Sequence, residues 1–331
     1  MKNAICFLTF LTIFATMKAN ALPSNFEELT IDATADSLKI SVLTATPAQP
    51  PRAIVQLVHG MCEYKERYIP FMQFLAENGY AVVIHDHRGH GKSVKSADDL
   101  GYFYEGGYRA AIDDAHAVTA LIKARYPTLP LYLFGHSMGS MIVRSYAKRY
   151  DHELAGLIVC GCPSYNSGSS IGQRVAAHAA KLHGDHYRSA KIQQLAFGTY
   201  NRRFTNPQSP NAWVCSDTAV VARYDADPLC NFVFTANGFF NLFGVMQDAY
   251  SRDGWQMAHP QMPVWFISGA DDPCLISPRK FAAAIENMRK VGYTNVTARL
   301  YPNMRHEILN ETDKQTVWND ILTQLNAWQV S

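Results

Sequence analysis

The sequence lacks any strong imbalance of charge and any run of like charges. Its 331 residues contain 30 Lys and Arg against 28 Asp and Glu, which leaves a formal net charge of +2. A nucleic-acid-binding domain concentrates Lys and Arg in a patch or stripe, so this pattern argues against a nucleic-acid partner. Internal repeats and low-complexity segments are also missing, which favours a globular chain with a large core.

Long apolar runs are rare as well. The one clear run, about residues 4–17, follows Lys2 and precedes the small-x-small sequence Ala19-Asn20-Ala21. Such a pattern is typical of a cleaved secretory signal peptide, because a membrane-spanning helix needs about 20 apolar residues. We expect residues 1–21 to be removed and the mature protein to be secreted or periplasmic. A buried helix or a membrane anchor is the alternative.

Cysteine is uncommon, with six residues left once Cys6 is removed with the signal peptide. An exported protein can form disulfides, and Cys215 with Cys230 is the candidate pair, with free thiols as the alternative. The spacing Cys160-Gly-Cys162 does not match a zinc site, and no paired motif follows it. We expect neither a metal nor an organic cofactor.

Short β-rich runs alternate with helical patterns along most of the chain. A hairpin is predicted at 26–31 and 37–45, before the first of the runs that alternate with helical patterns. The later runs lie at 53–60, 80–86, 131–137, 154–161, 263–270 and 296–302. This alternation predicts an α/β fold with a mostly parallel central sheet covered by helices on both faces. Functional residues then belong at the carboxyl ends of the strands.

The alternation stops between residues 163 and 260, where the patterns are mainly helical and joined by loops. We interpret this segment as a cap inserted between two strands of one sheet. The core domain is then formed by residues 22–162 and 261–331.

A serine stands between two glycines where the run at 131–137 ends and a helical pattern begins, in Gly135-His136-Ser137-Met138-Gly139. This arrangement predicts a nucleophile elbow, a turn so tight that glycine is needed on both sides of the serine. The helix that follows directs the positive end of its dipole toward developing negative charge. Ser137 is therefore the candidate nucleophile.

A serine nucleophile needs a histidine base, and the base needs a carboxylate that fixes its tautomer. In this fold the acid and then the base follow the serine in chain order, each in a loop after a later strand. Asp271 and Asp272 follow the run at 263–270, and His306 follows the run at 296–302. We predict Asp272 as the acid, with Asp271 as the alternative, and His306 as the base.

The negative charge that develops on a substrate carbonyl oxygen needs two main-chain N–H donors. In this fold one comes from the residue after the nucleophile and one from the loop after an early strand. These positions are Met138 and Met61, the second of which follows His59-Gly60.

Five stretches in this order resemble the α/β-hydrolase group of monoglyceride lipases and bacterial lysophospholipases, which is grouped with the serine aminopeptidase-like hydrolases. They are HGMCEYKERY (59–68), HDHRGHGKS (85–93), GHSMGS (135–140), SGADDPC (268–274) and YPNMRHEILNE (301–311). The resemblance implies the same triad of Ser137, Asp272 and His306 and the same oxyanion donors. It also implies loop-fixing ion pairs and hydrogen bonds by Glu63, Arg67, Asp86, Arg88 and His90.

The resemblance further implies a serine carboxylester hydrolase that acts on a monoacylglycerol, a lysophospholipid or another small acyl substrate. Transient contact with a membrane or micelle surface is compatible with such a substrate. The alternatives are an amidase or aminopeptidase of the same fold and, less favoured, a non-catalytic lipid-binding protein. The cap is rich in aromatic residues, which either form its own core or line an acyl channel: Phe197, Tyr200, Phe204, Phe232, Phe234, Phe239, Phe240 and Phe243.

Overall fold

An eight-stranded sheet with the strand order β1-β2-β4-β3-β5-β6-β7-β8 forms the centre of the protein. The computed structural model describes residues 22–330, so the expected signal peptide lies outside the described residues. The strands are β1 (Phe26–Asp32), β2 (Lys39–Ala45), β3 (Ala53–Val58), β4 (Tyr80–His85), β5 (Leu131–His136), β6 (Gly156–Cys160), β7 (Val264–Gly269) and β8 (Val296–Tyr301). Strands β1 and β2 form an antiparallel hairpin, and β2 pairs antiparallel with β4. The remaining pairs are parallel, as the alternation of runs predicts.

Helices cover both faces of the sheet. They are α1 (Ile69–Glu77), α2 (Gly107–Arg125), α3 (Met138–Tyr150), α4 (Ser169–His183), α5 (Ala190–Phe197), α6 (Thr218–Ala226), α7 (Ala236–Tyr250), α8 (Pro278–Val291) and α9 (Lys314–Val330). Side chains of α2, α3 and α8 belong to one apolar cluster, and those of α1 and α9 to a second. Every residue of β3, β4, β5, β6 and β7 is buried, because a strand covered on both faces has no solvent-exposed side.

The segment between β6 and β7 contains helices α4 to α7 and no strand. Helix α7 packs against α4 and also against the core helices α2 and α3. The short helix α6 was not predicted from the sequence; it begins after Asp217, whose carboxylate accepts hydrogen bonds from the N–H groups of Ala219 and Val220. The helical character of the insertion agrees with the prediction, while the exact core and cap boundaries stay a prediction.

The described cysteines are all free and buried. The Cys215 thiol lies 3.6 Å from the Asn310 carbonyl oxygen, and no disulfide joins it to Cys230. The alternative of free thiols therefore holds for this pair. Within residues 22–330, no helix has both the length and the apolar character that crossing a bilayer requires.

Candidate active site

Ser137 occupies the turn between β5 and α3 and has a strained backbone, with φ +54° and ψ −118°. Its N–H donates to the Cys160 carbonyl oxygen at 3.0 Å, which ties the turn to the end of β6. A methyl group on Gly139 would lie 2.1 Å from the Val58 carbonyl oxygen, so only glycine fits there. The sequence predicts this turn, and the close approach of β3 explains its second glycine.

Asp272 and His306 lie in the loops after β7 and β8 and contact each other. Asp272 Oδ2 is 2.8 Å from His306 Nδ1, and both side chains are buried. The carboxylate also accepts hydrogen bonds from Ser268 Oγ at 3.0 Å and from the Cys274 N–H at 2.8 Å. Burial alone would raise the pKa of Asp272, but the charge and hydrogen bond of His306 hold it below its ordinary value. Asp271 is exposed, so of the two aspartates it is Asp272 that faces the histidine.

Ser137 and His306 both lie at the carboxyl ends of the strands. There the absence of side chains at Gly60 and Gly161 lets neighbouring loops approach Ser137 and His306 closely. A methyl group on Gly60 would lie 2.9 Å from Ser137 Cβ, and one on Gly161 would lie 3.3 Å from His306 Cε1. Within residues 22–330, no hydrogen bond joins Ser137 Oγ to His306; the imidazole Nε2 instead lies 4.0 Å from Cys274 Sγ. Serine–histidine bonds often form only with substrate bound. The catalytic roles of these residues stay a prediction.

The two predicted oxyanion donors flank Ser137 from different segments. Met138 is the first residue of α3, so its N–H has no carbonyl partner inside the helix. Met61 follows Gly60, the residue that packs against Ser137 Cβ. Met138 thus directly follows the serine and Met61 directly follows a residue that packs against it, and the donor role of both main-chain groups stays a prediction.

The scaffold residues implied by the resemblance make the expected buried ion pairs and hydrogen bonds. Asp86 binds Lys65 Nζ at 2.9 Å, and Arg88 Nε binds Asp114 at 2.8 Å. His90 Nδ1 lies 3.2 Å from the Arg88 carbonyl oxygen. These contacts fix the loop after β4 and involve no atom of the Asp272–His306 pair.

Three residues that the sequence did not single out lie next to the site. The Trp213 ring centroid is 5.0 Å from that of His306. His136, within the elbow motif, has its ring 4.7 Å from that of His306, and Glu307 forms a buried ion pair with Arg67. The positions of His136 and Glu307 directly beside Ser137 and His306 were a signal, whereas Trp213 follows no motif.

The aromatic residues of the insertion divide into two groups. Phe234 and Phe239 are fully buried and pack against each other, as core residues do. Tyr200 instead packs edge-on against Trp213, with 4.9 Å between centroids, so an aromatic wall extends from the insertion to His306. The core interpretation therefore holds for Phe234 and Phe239, while an acyl channel lined by other aromatic residues stays a prediction.

The side chains of Asp272, Cys274 and His306 offer ligand atoms that lie within 4.8 Å of one another. However, Asp272 and His306 Nδ1 are already paired with each other. Only the Cys274 thiol and His306 Nε2 remain, fewer than the three or four protein ligands of a usual zinc site. The contact between Asp272 and His306 is better explained as a carboxylate that orients an imidazole.

Residues 49–313 match the family model described as serine aminopeptidase, S33. A monoacylglycerol lipase of Mycolicibacterium smegmatis is 28% identical over 86% of this chain and 91% of its own length. A monoglyceride lipase homologue of monkeypox virus is 31% identical over 85% of this chain and 91% of its own length.

Among solved structures, a thermostable carboxyl esterase of Bacillus coagulans in complex with glycerol superposes with a TM-score of 0.85 at 28% identity, covering 93% of this chain and all of the esterase. The family model spans well over half of the sequence, and the sheet order and elbow agree with it. The chain therefore belongs to the serine aminopeptidase S33 family of hydrolases and has the α/β-hydrolase fold.

Proposed function

We propose that the protein is a serine carboxylester hydrolase that cleaves a single-chain lipid ester, a monoacylglycerol or a lysophospholipid. The observation that carries this proposal is the buried contact of 2.8 Å between Asp272 and His306 at the same sheet edge as the strained Ser137 turn. A carboxylate, an imidazole and an elbow serine in this chain order are the parts that acyl transfer requires.

In the proposed reaction, His306 Nε2 takes the proton of Ser137 as its oxygen attacks the ester carbonyl. Asp272 holds the imidazole through Nδ1 and stabilises the positive charge that forms on the ring. The N–H groups of Met61 and Met138 bind the oxyanion, and the imidazolium then protonates the leaving alcohol. Water attacks the acyl-enzyme by the same route in reverse and releases the fatty acid.

Three features support a lipid ester as the substrate. The wall formed by Tyr200 and Trp213 offers an apolar surface beside His306. The relative from M. smegmatis and the viral homologue carry the names of monoacylglycerol and monoglyceride lipases. The esterase structure from B. coagulans contains glycerol, the alcohol that a monoacylglycerol would release.

Transient contact with a lipid surface is part of the proposal, and helix α4 supports it. Ile171, Val175 and Leu182 are exposed on α4, with Leu182 at 62% exposure. Their spacing of four and seven residues places them along one side of the helix. An exposed apolar stripe of this kind suits a protein that takes its substrate from a membrane or micelle.

Export of the protein is proposed from residues 1–21, which lie outside the described residues. If the signal peptide is cleaved after Ala21, the mature protein recovered from the secreted or periplasmic fraction begins at Leu22. N-terminal sequencing or intact mass of that protein measures the cleavage directly.

The test is hydrolysis by the purified mature protein of p-nitrophenyl esters, monoacylglycerols and lysophospholipids. We expect turnover of esters and a preference for single-chain lipids, and Ser137→Ala should reduce it to background while leaving the fold intact. Ser145→Ala is the matched control, because this buried hydroxyl on α3 has no hydrogen-bond partner among the described residues and should be dispensable.

Three results would contradict the proposal. Preferred cleavage of proline-naphthylamide would indicate an aminopeptidase or amidase with the same triad. Full ester turnover by Ser137→Ala, or lipid binding without any turnover by the parent protein, would refute the proposed chemistry.

A further inference from the structure

One buried carboxylate, that of Glu63, contacts two of the three segments that meet at the candidate active site. Glu63 Oε1 accepts a hydrogen bond from the Gly60 N–H at 2.9 Å, in the loop that carries Met61. The same oxygen lies 2.8 Å from His136 Nδ1, in the residue before Ser137. Glu63 thus joins the oxyanion loop directly to the nucleophile elbow.

The third segment is reached through Arg67. Arg67 Nη1 binds Glu63 Oε2 at 2.9 Å and Glu307 Oε1 at 2.7 Å, while Nη2 binds Glu307 Oε2 at 2.7 Å. Glu307 follows His306 directly in the chain. A bidentate arginine–carboxylate pair restricts both the distance and the relative orientation of the two side chains. It therefore holds the His306 loop more firmly than a single hydrogen bond would.

His136 links Glu63 to the His306 loop by a second route. Its Nε2 lies 3.3 Å from the His306 carbonyl oxygen, and its Nδ1 faces Glu63. Because both ring nitrogens face an acceptor, only the doubly protonated imidazolium can donate to both at once. Burial opposes a charged ring, but the charge and hydrogen bond of Glu63 raise the pKa of His136 above its ordinary value.

We propose that Glu63 and His136 form a positioning pair that holds the oxyanion loop, Ser137 and His306 in the geometry required for acyl transfer. Neither side chain touches the Asp272–His306 hydrogen bond, so the pair acts on the placement of the segments. The proposal rests on the proposed esterase function and adds two residues to it. Its physical basis is that a misplacement of about 1 Å among reacting groups costs about 10²-fold in rate.

The test compares Glu63→Gln and His136→Gln with the parent enzyme, with concentrations set by active-site titration. We expect kcat to fall by about 10- to 100-fold in each variant while KM stays within about three-fold, because placement affects the transition state more than ground-state binding. Residues that act as one unit are not additive, so the double variant should be about as slow as either single variant.

Glu66→Gln is the matched control. Glu66 lies in the same loop as Glu63, is partly exposed and pairs with Lys65 and Lys92. It contacts neither His136 nor Arg67 through any ion pair or hydrogen bond of residues 22–330. Its replacement should leave kcat unchanged.

The pH profile of kcat provides a readout that a purely structural role would not move. The charged and titratable groups that face His136 are Glu63, Glu307 and His306. When His136 loses a proton, it can no longer donate hydrogen bonds both to Glu63 and to the His306 carbonyl oxygen. The kcat of the parent enzyme should therefore fall at alkaline pH. Glu63→Gln removes the anion that stabilises the imidazolium and should shift that alkaline limb to lower pH, whereas Glu66→Gln should not.

No ester turnover by the parent enzyme would overturn the proposed esterase function. The positioning role would be refuted by a different result. In that case the parent enzyme is active, and Glu63→Gln keeps the parent kcat and pH profile and lowers only Tm. If Glu63→Gln does not fold, His136→Gln carries the same test, and wild-type kcat in that variant is the contradicting result.

Discussion

The two adjacent aspartates after β7 differ in burial and in whether they contact His306. Asp272 is fully buried and holds His306 Nδ1, whereas Asp271 points to solvent. An amide in place of the buried carboxylate would favour the wrong tautomer of the imidazole. Among residues 22–330, no histidine pairs with the exposed Asp271 side chain.

Asp272→Asn should therefore lower kcat on the order of 10⁴-fold, while KM changes little. Asp271→Asn is the matched control and should retain kcat within about two-fold, since surface substitutions are usually near neutral. Steady-state hydrolysis of a p-nitrophenyl ester measures both. A strong loss in Asp271→Asn with an active Asp272→Asn would reverse the assignment.

Residues in short motifs could be predicted from the sequence, whereas contacts made by residues outside any motif could not. Ser137 is recognisable because the two glycines that its turn needs lie within two positions of it. Trp213 belongs to no motif, and its place beside His306 depends on how the insertion folds over the sheet. The resemblance implies an ion pair for Arg67, but no local pattern reveals that its partner is Glu307, 240 residues away.

At the scale of elements, the elbow depends on the close contact between β3 and the first turn of α3. Gly139 faces the carbonyl oxygens of Val58 and His59, and a methyl group would lie 2.1 Å and 2.5 Å from them. Backbone atoms cannot move aside as a flexible side chain can, so β3 or α3 would have to shift.

Gly139→Ala should lower the free energy of unfolding by about 1–3 kcal/mol and reduce kcat through the displaced elbow. The control is Gly168→Ala, at the start of α4, where φ is −73° and the nearest atom belongs to the Asn166 side chain. That change should stay within about 0.5 kcal/mol. Urea unfolding measures both, and equal stability of the two variants would contradict the predicted contact.

The strands and the long helices could be predicted because their hydrophobic periodicity is local information. Each of the six runs predicted after the hairpin contains a strand whose ends differ by at most two residues from the prediction. Helix α6 was missed because it has only nine residues and a weak apolar face. The order of the strands depends on crossover connections, which the helical patterns imply but do not specify.

Among the described residues, four buried histidines have rings that pack near one another: His59, His85, His87 and His90. Burial lowers the pKa of each, to about 3 for His85 and to about 4 for His90. Neither ring nitrogen of His85 has a hydrogen-bond partner among the described residues. The folded state therefore keeps these rings neutral, while the unfolded chain protonates them below about pH 6.5.

The stability that these four neutral rings contribute should therefore be fully present above about pH 6.5 and fall as the pH decreases, by up to roughly 1.4 kcal/mol per pH unit for each histidine. His136 has a raised pKa and contributes in the opposite sense, losing stability only as the pH rises above the ordinary imidazole range. Urea unfolding between pH 8 and pH 5 measures the slope. His85→Leu should reduce it and the exposed His152→Gln should not; a slope unaffected by His85→Leu would contradict the account.

We propose that Ser137 becomes a nucleophile because His306 and Asp272, which lie far from it in the sequence, act with it at one site. The most direct measurement is the reaction of the mature protein with a fluorophosphonate probe, followed by intact mass and peptide mapping. We predict one adduct per chain on Ser137, absent in Ser137→Ala and much slower in His306→Gln. Labelling at another residue, or equal labelling rates with and without His306, would contradict the account.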